Sequence, residues 1–410
     1  VVFCPHAQKR GKTTIVISQV SQQQTVLGGK GCRVNSGKSL QQQDQPVDGY
    51  APSTLPPPSL YDKPVVSGIK ASTSLLSRLG MAIGLIAAPV PGPVGAVLTL
   101  NSLKEFAHKT TLEDKEVLMQ SLGQATDLMG QSSGIVELPK GVPTMVIPDI
   151  HAQRDYLVRA MEHEVNGKKV FDLLKQGKMN LLILGDGMHS EARGQMRWRT
   201  AERDHLSGKK SSAAMRDEVV ESFGTMKMVM DLKSEMGDHL VYLRGNHDDI
   251  DGAYQKFCGN VGESTLMHDW VKNHYGKDLV DKWVAFEESM PLLAKGTGFV
   301  ASHAAPGAAL QREEIERRDD RAFNVLSWTD NTAWDEHGAK RDIFGRNLEA
   351  VGGGEFDRWL VGHRKVSGAN YRGQFDNALI QINPTDAEGF VVAMIGADGK
   401  FDPQSDTFKV

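Results

Sequence analysis

Five short apolar runs beyond residue 144 constrain the fold of this chain more than any other feature. They are Met145-Val146-Ile147, Leu181-Leu182-Ile183-Leu184, Leu240-Val241-Tyr242-Leu243, Phe299-Val300-Ala301 and Trp359-Leu360-Val361. Each is bounded by polar or turn residues and reads as a buried strand. Segments with helical spacing lie between several of them. Residues 152–176 carry Leu157, Ala160, Met161 and Val165, then Phe171 and Leu174 after a glycine. Residues 213–236 carry Met215, Val219, Phe223, Met226 and Met230. This alternation predicts an α/β fold. Two further strands are expected around 378–382 and 390–395.

Nearly every one of these strands is followed by a side chain able to bind a metal. The first leads into Pro148-Asp149-Ile150-His151, the second into Gly185-Asp186, and the third into Arg244-Gly245-Asn246-His247-Asp248. The fourth leads into Ser302-His303 and the fifth into Gly362-His363. In α/β sheets, ligands gather where the carboxyl ends of the strands converge. Any one of these residues alone would pass for a solvated loop end. Five consecutive strands delivering Asp, His and Asn to one edge are not explained by packing. The set suits phosphoester hydrolysis, where two divalent ions about 3.5–4 Å apart neutralise the phosphoryl oxygens and supply a hydroxide at neutral pH. Imidazole and carboxylate donors with no thiolate favour manganese, with iron or zinc as alternatives.

The ordered series Asp-x-His, Gly-Asp, Gly-Asn-His-Asp, His and Gly-His over residues 149–363 resembles the calcineurin-like metallophosphoesterase superfamily. That resemblance implies a sandwich of two β-sheets flanked by helices. It further implies that Asp149, His151 and Asp186 hold one metal, and that Asp186 bridges to a second completed by Asn246, His303 and His363. His247 would be the general acid that protonates the leaving oxygen, and Asn246 would also face the substrate phosphate.

Many members of the superfamily end in Gly-His-x-His, whereas here Lys365 stands in the last position. A single terminal His resembles the phosphoprotein phosphatase branch, as do Leu243-Arg244-Gly245-Asn246-His247 and Leu326-Ser327-Trp328-Thr329-Asp330. Arg341 or Arg346 would then clamp a phosphate, since a guanidinium can bind it bidentately. The second motif departs from that branch. His189 replaces the Asp that orients the catalytic His, and Ser190 replaces a phosphate-binding Arg. Glu191 and Asp248 are the candidates to orient His247. Arg193 and Arg197 are the candidates to reach the phosphate. The 60 residues from Asp186 to Asn246 exceed that branch's usual spacing, so 190–236 reads as a helical insertion, either a cap over the substrate or a plain surface helix. The implied substrate is a phosphoprotein. A nucleotide or dinucleotide polyphosphate is the alternative, and a binding protein without turnover is the alternative of another class.

The region before residue 141 reads differently. Residues 1–70 are rich in Gln, Ser, Gly and Pro and are expected to be a disordered tail. Gly11-Lys12-Thr13 and Gly37-Lys38-Ser39 lack the earlier glycine that a phosphate-binding loop needs. Residues 71–140 read as an apolar and helical extension ahead of a catalytic domain spanning 141–410. Within the extension, 79–98 has no charge, but Pro89, Pro91 and Pro93 would break a spanning helix. Packing on the main domain is expected there, with a shallow membrane-inserting hairpin as the alternative. The 47 basic and 51 acidic residues give a net charge of -4, which excludes a footprint for bulk nucleic-acid binding. Three widely spaced cysteines form no disulfide framework. With no signal peptide at the start, the reading is of a reducing, cytoplasmic compartment.

Overall fold

The computed structural model describes residues 98–330, 339–352, 355–384 and 389–410, all within one compact unit, Pro89–Val410. The expected tail (1–70) and, apart from Leu98, the apolar run 79–98 lie outside the described residues. The strands run in chain order as β1 (Ile135–Glu137), β2 (Thr144–Ile147), a small hairpin of β3 (Glu164–Val165) and β4 (Lys168–Lys169), β5 (Asn180–Ile183) and β6 (Leu240–Tyr242). There follow β7 (Leu293–Gly296), β8 (Phe299–Ser302), β9 (Arg358–Val361), β10 (Arg372–Gln374), β11 (Leu379–Gln381), β12 (Val391–Ile395) and β13 (Thr407–Lys409).

Two mixed sheets result. One has the order β13-β12-β2-β5-β6 and the other β1-β7-β8-β9-β11-β10. In the first, β2, β5 and β6 are parallel, with Val146 beside Leu182 and Leu182 beside Val241. In the second, β8, β9 and β11 are parallel, with Val300 beside Trp359 and Leu379 beside Trp359.

Side-chain alternation along each strand stacks these sheets face to face. Val146, Leu182 and Val241 from one sheet share an apolar layer with Ala294, Ala301, Leu360 and Ile380 from the other. The intervening residues Met145, Ile147, Leu181 and Ile183 point the opposite way, into a helical layer. On the far side, Leu293, Val300, Trp359 and Val361 pack against helices Asp320–Ser327 and Ala339–Gly352. Both faces of each sheet are therefore covered, which explains why the sequence shows continuous apolar runs rather than polar alternation.

The helical layer on the first sheet comprises α1 (Leu100–Ala107), α2 (Lys115–Gly130), α3 (Arg154–Glu162), α4 (Val170–Lys175), α5 (Gln195–Leu206), α6 (Ala213–Met236), α7 (Glu263–Tyr275) and α8 (Lys277–Ser289). Its centre is α6. Ser212 caps the start of α6 by accepting the Met215 N–H, and Gly237, at φ 56°, ends it. Phe223 of α6 stacks on Trp283 of α8 with ring centroids 3.8 Å apart. Fifteen residues of α6 are buried, so this half of the 190–236 segment is neither a cap nor a solvated helix but part of the core. Helices α1 and α2 and strand β1 precede the boundary drawn at residue 141. They pack on α3, α6 and α8 and pair with β7, and we place the start of the folded body no later than residue 100. Among the described residues, no helix is long and apolar enough to cross a membrane.

Candidate active site

The loops after β2, β5, β6, β8 and β9 bring the six sequence-predicted ligands together. All six lie in the fold's interior or at its margin: Asp149, His151, Asp186, Asn246 and His303 are buried, and His363 is half-buried. Sharp backbone turns create this convergence. His151, Asp186 and His363 all have left-handed φ, at 47°, 51° and 67°, a conformation that costs a non-glycine residue energy and persists only where surroundings enforce it. Two glycines make room for the crossing chains. Gly185 has φ 109°, and a Cβ there would sit 2.6 Å from the Gly245 nitrogen. A Cβ on Gly362 would sit 2.2 Å from Asp149 Oδ1. The glycines preceding Asp186 and His363 are thus demanded by close approach.

Asn246 Oδ1 lies 2.9 Å from both His303 Nε2 and His363 Nδ1. His303 Nε2 is also 3.3 Å from Asp186 Oδ2. Its other nitrogen, Nδ1, is 2.9 Å from the Leu184 carbonyl and 3.8 Å from Asp149 Oδ1. His151 Nε2 is 3.7 Å from Asp149 Oδ2. Asp149 is itself fixed, because Oδ1 accepts the His363 N–H at 3.1 Å and Oδ2 accepts from Asn383 Nδ2 at 2.6 Å. Burial, opposed by the His303 charge, pushes Asp149 up to about 6. Burial would lower His303, but Asp186 and Asp149 raise it to about 9. Burial also drives His151 down to about 3.

These residues fit a metal pair on three observations. Asp149, His151 and Asp186 offer ligand atoms within 4.8 Å of one another. His151 Nδ1 and His363 Nε2 are buried with no hydrogen-bond partner, although buried polar atoms are otherwise almost always satisfied. The backbone carbonyl facing His303 Nδ1 leaves Nε2 directed inward, as metal-binding imidazoles are usually held.

His247 projects to the other side of this cluster. Its backbone N–H donates to Asp186 Oδ1 at 2.8 Å. Its ring has Nδ1 3.0 Å from His189 Nδ1, and Nε2 3.2 Å from Glu191 Oε1 and 3.9 Å from Asp186 Oδ2. Burial would lower His247, but the Asp186 and Glu191 carboxylates raise it above its ordinary value. A second group able to offer ligands within 4.8 Å is His151, Glu191 and His247.

Asp248, a candidate to orient His247, has a different set of partners. Its carboxylate accepts the N–H groups of Asp186, Gly187 and Gly245 and the Tyr242 hydroxyl, at 2.8–3.2 Å. It staples the Gly-Asp loop to the Gly-Asn-His loop. Replacing one oxygen by an NH₂ sets donor against donor. Asp248→Asn is therefore expected to lower unfolding free energy by about 2–4 kcal/mol, given about 1–3 kcal/mol per buried group left unsatisfied. Denaturant unfolding of the two proteins checks this, and equal midpoints would reject the staple.

The arginine candidates have other partners. Arg193 pairs with Glu221 at 2.7 Å and lies 3.4 Å from the carbonyls of His151 and Ala152. Arg197 pairs with Glu218 and Glu221 of α6. Arg341 lies over the Phe375 ring and 3.5 Å from Asp376, while Arg346 donates to the Asp342 carbonyl at 3.4 Å. Apart from the His151 carbonyl beside Arg193, none of these partners belongs to the cluster. Sequence reasoning missed Asn383, Tyr242, Tyr254 and Lys256. Asn383 directly follows an expected strand, the one available signal. The others carry no motif.

Two stacked mixed sheets carry this ordered set at their strand ends, the sandwich that the resemblance in sequence implies. The chain is similar to a protein serine/threonine phosphatase from Saccharomyces cerevisiae, with a TM-score of 0.50 and 16% identity, over 76% of this chain and 96% of that one. It has a weaker likeness to a cold-active protein-tyrosine phosphatase of a psychrophilic Shewanella, with a TM-score of 0.38 and 14% identity over 67% and 83% of the two chains. No protein-family model matches the sequence, and no curated protein matches it either.

Proposed function

We propose that this protein is a phosphoester hydrolase dependent on two divalent metal ions, and that its substrates are phosphomonoesters of the phosphoprotein type. The observation that carries the reading is the convergence of Asp149, His151, Asp186, Asn246, His303 and His363 beside His247. When bound, the metals would neutralise phosphoryl oxygens and supply hydroxide at neutral pH. Asp149, His151 and Asp186 would hold one, with Asp186 shared, and Asn246, His303 and His363 would hold the other. His247 keeps a proton on the side of the cluster where a leaving oxygen departs, so it serves as general acid. The complete ligand set and His247 argue against a binding protein that has lost turnover.

Support for the phosphoprotein class comes from Lys365 in place of a second terminal His, from the segments at 243–247 and 326–330, and from the likeness to the yeast serine/threonine phosphatase. The test is a turnover screen of metal-loaded protein against phosphopeptides, nucleotides, dinucleotide polyphosphates and an aryl phosphate. Preference for phosphopeptides is expected, and preference for a nucleotide would replace the substrate class while leaving the reaction intact.

Metal removal gives a second test. Exhaustive chelation is expected to abolish hydrolysis, and manganese to restore it most effectively, because every donor is N or O. Full activity in protein shown by elemental analysis to hold no metal would overturn the two-metal reading.

A further inference from the structure

The second motif carries His189 and Ser190 where a carboxylate and a cation would be expected, yet His247 does not lack a carboxylate. Glu191 Oε1 stands 3.2 Å from His247 Nε2. The same oxygen accepts the Tyr254 hydroxyl at 2.7 Å, and Oε2 accepts from Lys256 Nζ at 2.6 Å. Tyr254 also lies against His247, with ring centroids 3.9 Å apart. Glu191 is 9% exposed. It has φ 52°, and His189 before it has φ 63°. Two non-glycine residues in the left-handed region are strained, so the loop shape is enforced by its surroundings. Helix α6 does this enforcing: the His189 N–H donates to Ser222 Oγ, and both the N–H and the hydroxyl of Ser190 donate to Glu218.

We propose that Glu191, held by Tyr254 and Lys256, is the residue that positions His247 for proton donation, with His189 backing the opposite ring nitrogen. This rests on the reading of His247 as general acid. The two neighbours hold the ring at both nitrogens, Glu191 Oε1 facing Nε2 and His189 Nδ1 facing Nδ1. The ammonium of Lys256 on the far carboxylate oxygen fixes Glu191 in that place. In the step served, the bond from phosphorus to the leaving oxygen breaks and its electron pair remains on that oxygen. A ring proton of His247 passes to it, the oxygen of water forms the new bond to phosphorus, and a proton released from water restores His247.

The test uses the full chain loaded with metal and compares an alkyl with an aryl phosphomonoester. Glu191→Gln keeps the shape and removes the charge. Its kcat on the alkyl ester is expected to fall about 10–100-fold, the usual loss when an outer positioning group is removed. On the aryl ester, whose leaving group needs no proton, kcat is expected to stay within about 3-fold. Both metals should be retained, and Glu191→Gln combined with His247→Asn should be no slower than His247→Asn alone. Tyr254→Phe, which removes one hydrogen bond, should show a smaller loss of the same kind and decides the matter where Glu191→Gln does not fold. Equal slowing of both esters, no slowing of either, or additive losses would overturn the proposal. Loss of a metal from Glu191→Gln would overturn it too, by making Glu191 a ligand with His151 and His247. If His247→Asn shows the alkyl–aryl split and Glu191→Gln does not, only the positioning role fails. A wild-type protein that hydrolyses neither ester overturns the underlying reading and this inference together.

Discussion

Asp186→Asn is expected to yield a folded protein that no longer retains its metal pair and hydrolyses neither alkyl nor aryl esters at a useful rate. Of the six proposed ligands, Asp186 is the carboxylate we place between both halves of the cluster. It lies in one ligand group with Asp149 and His151, and its Oδ2 is 3.3 Å from His303 Nε2. Asparagine has the same shape but lacks the charge that two cations would share. Its NH₂ would point either at the inward-facing His303 nitrogen or at the His247 N–H that now donates to Oδ1, and in either case an acceptor site becomes a donor. A loss of at least about 10²–10³-fold in kcat is expected, the scale seen when one electrostatic stabiliser is removed from an active site. Metal content after gel filtration, measured alongside rates, checks this. Two metals per chain in the variant would sink the bridging assignment.

His247→Asn should behave in the opposite way toward the metals. Asn246 Oδ1 faces His303 and His363, while the His247 ring faces Glu191 and His189. Adjacent side chains leaving a strand point in different directions, and here that divergence separates the proposed ligand from the proposed proton donor. The variant is expected to hold both metals yet lose about 10²–10⁴-fold in kcat on an alkyl ester, the range for a general acid. On an aryl ester the loss should be smaller, because a phenolate departs without a proton. Loss of metals, or wild-type turnover of the alkyl ester, would show that His247 is not the acid. The contrast with Asp186→Asn matters because both residues are buried within one cluster, so a merely structural disturbance would affect metals and both esters alike in the two variants.

How much of this was legible in the chain depends on the distance over which each interaction acts. The strands were readable because burial on both faces leaves an uninterrupted apolar run, and such runs mark β2, β5, β6, β8 and β9 directly. Their polar ends were readable as ligands because each follows its strand within a few residues. For His247 the sequence offered two carboxylates, Glu191 and Asp248, and could not choose between them. Asp248 is its neighbour in sequence, but the turn that aims His247 outward sends Asp248 back among the N–H groups of Asp186, Gly187 and Gly245. Glu191 arrives from another loop, and Tyr254 and Lys256 from a third. Arg193 and Arg197 looked available for phosphate because the sequence could not show Glu218 and Glu221 presented to them from α6.

The sequence by itself therefore determined the α/β alternation, the order of the strands along the chain and the identity of the cluster-forming residues, because these follow from local apolar patterning and from the chemistry of individual side chains. Only the tertiary structure decided which sheet each strand joins, that β12 returns to pair antiparallel with β2, and which charges cancel one another. Those outcomes depend on groups distant in the chain being brought within 3–4 Å, where hydrogen bonding and ion pairing act.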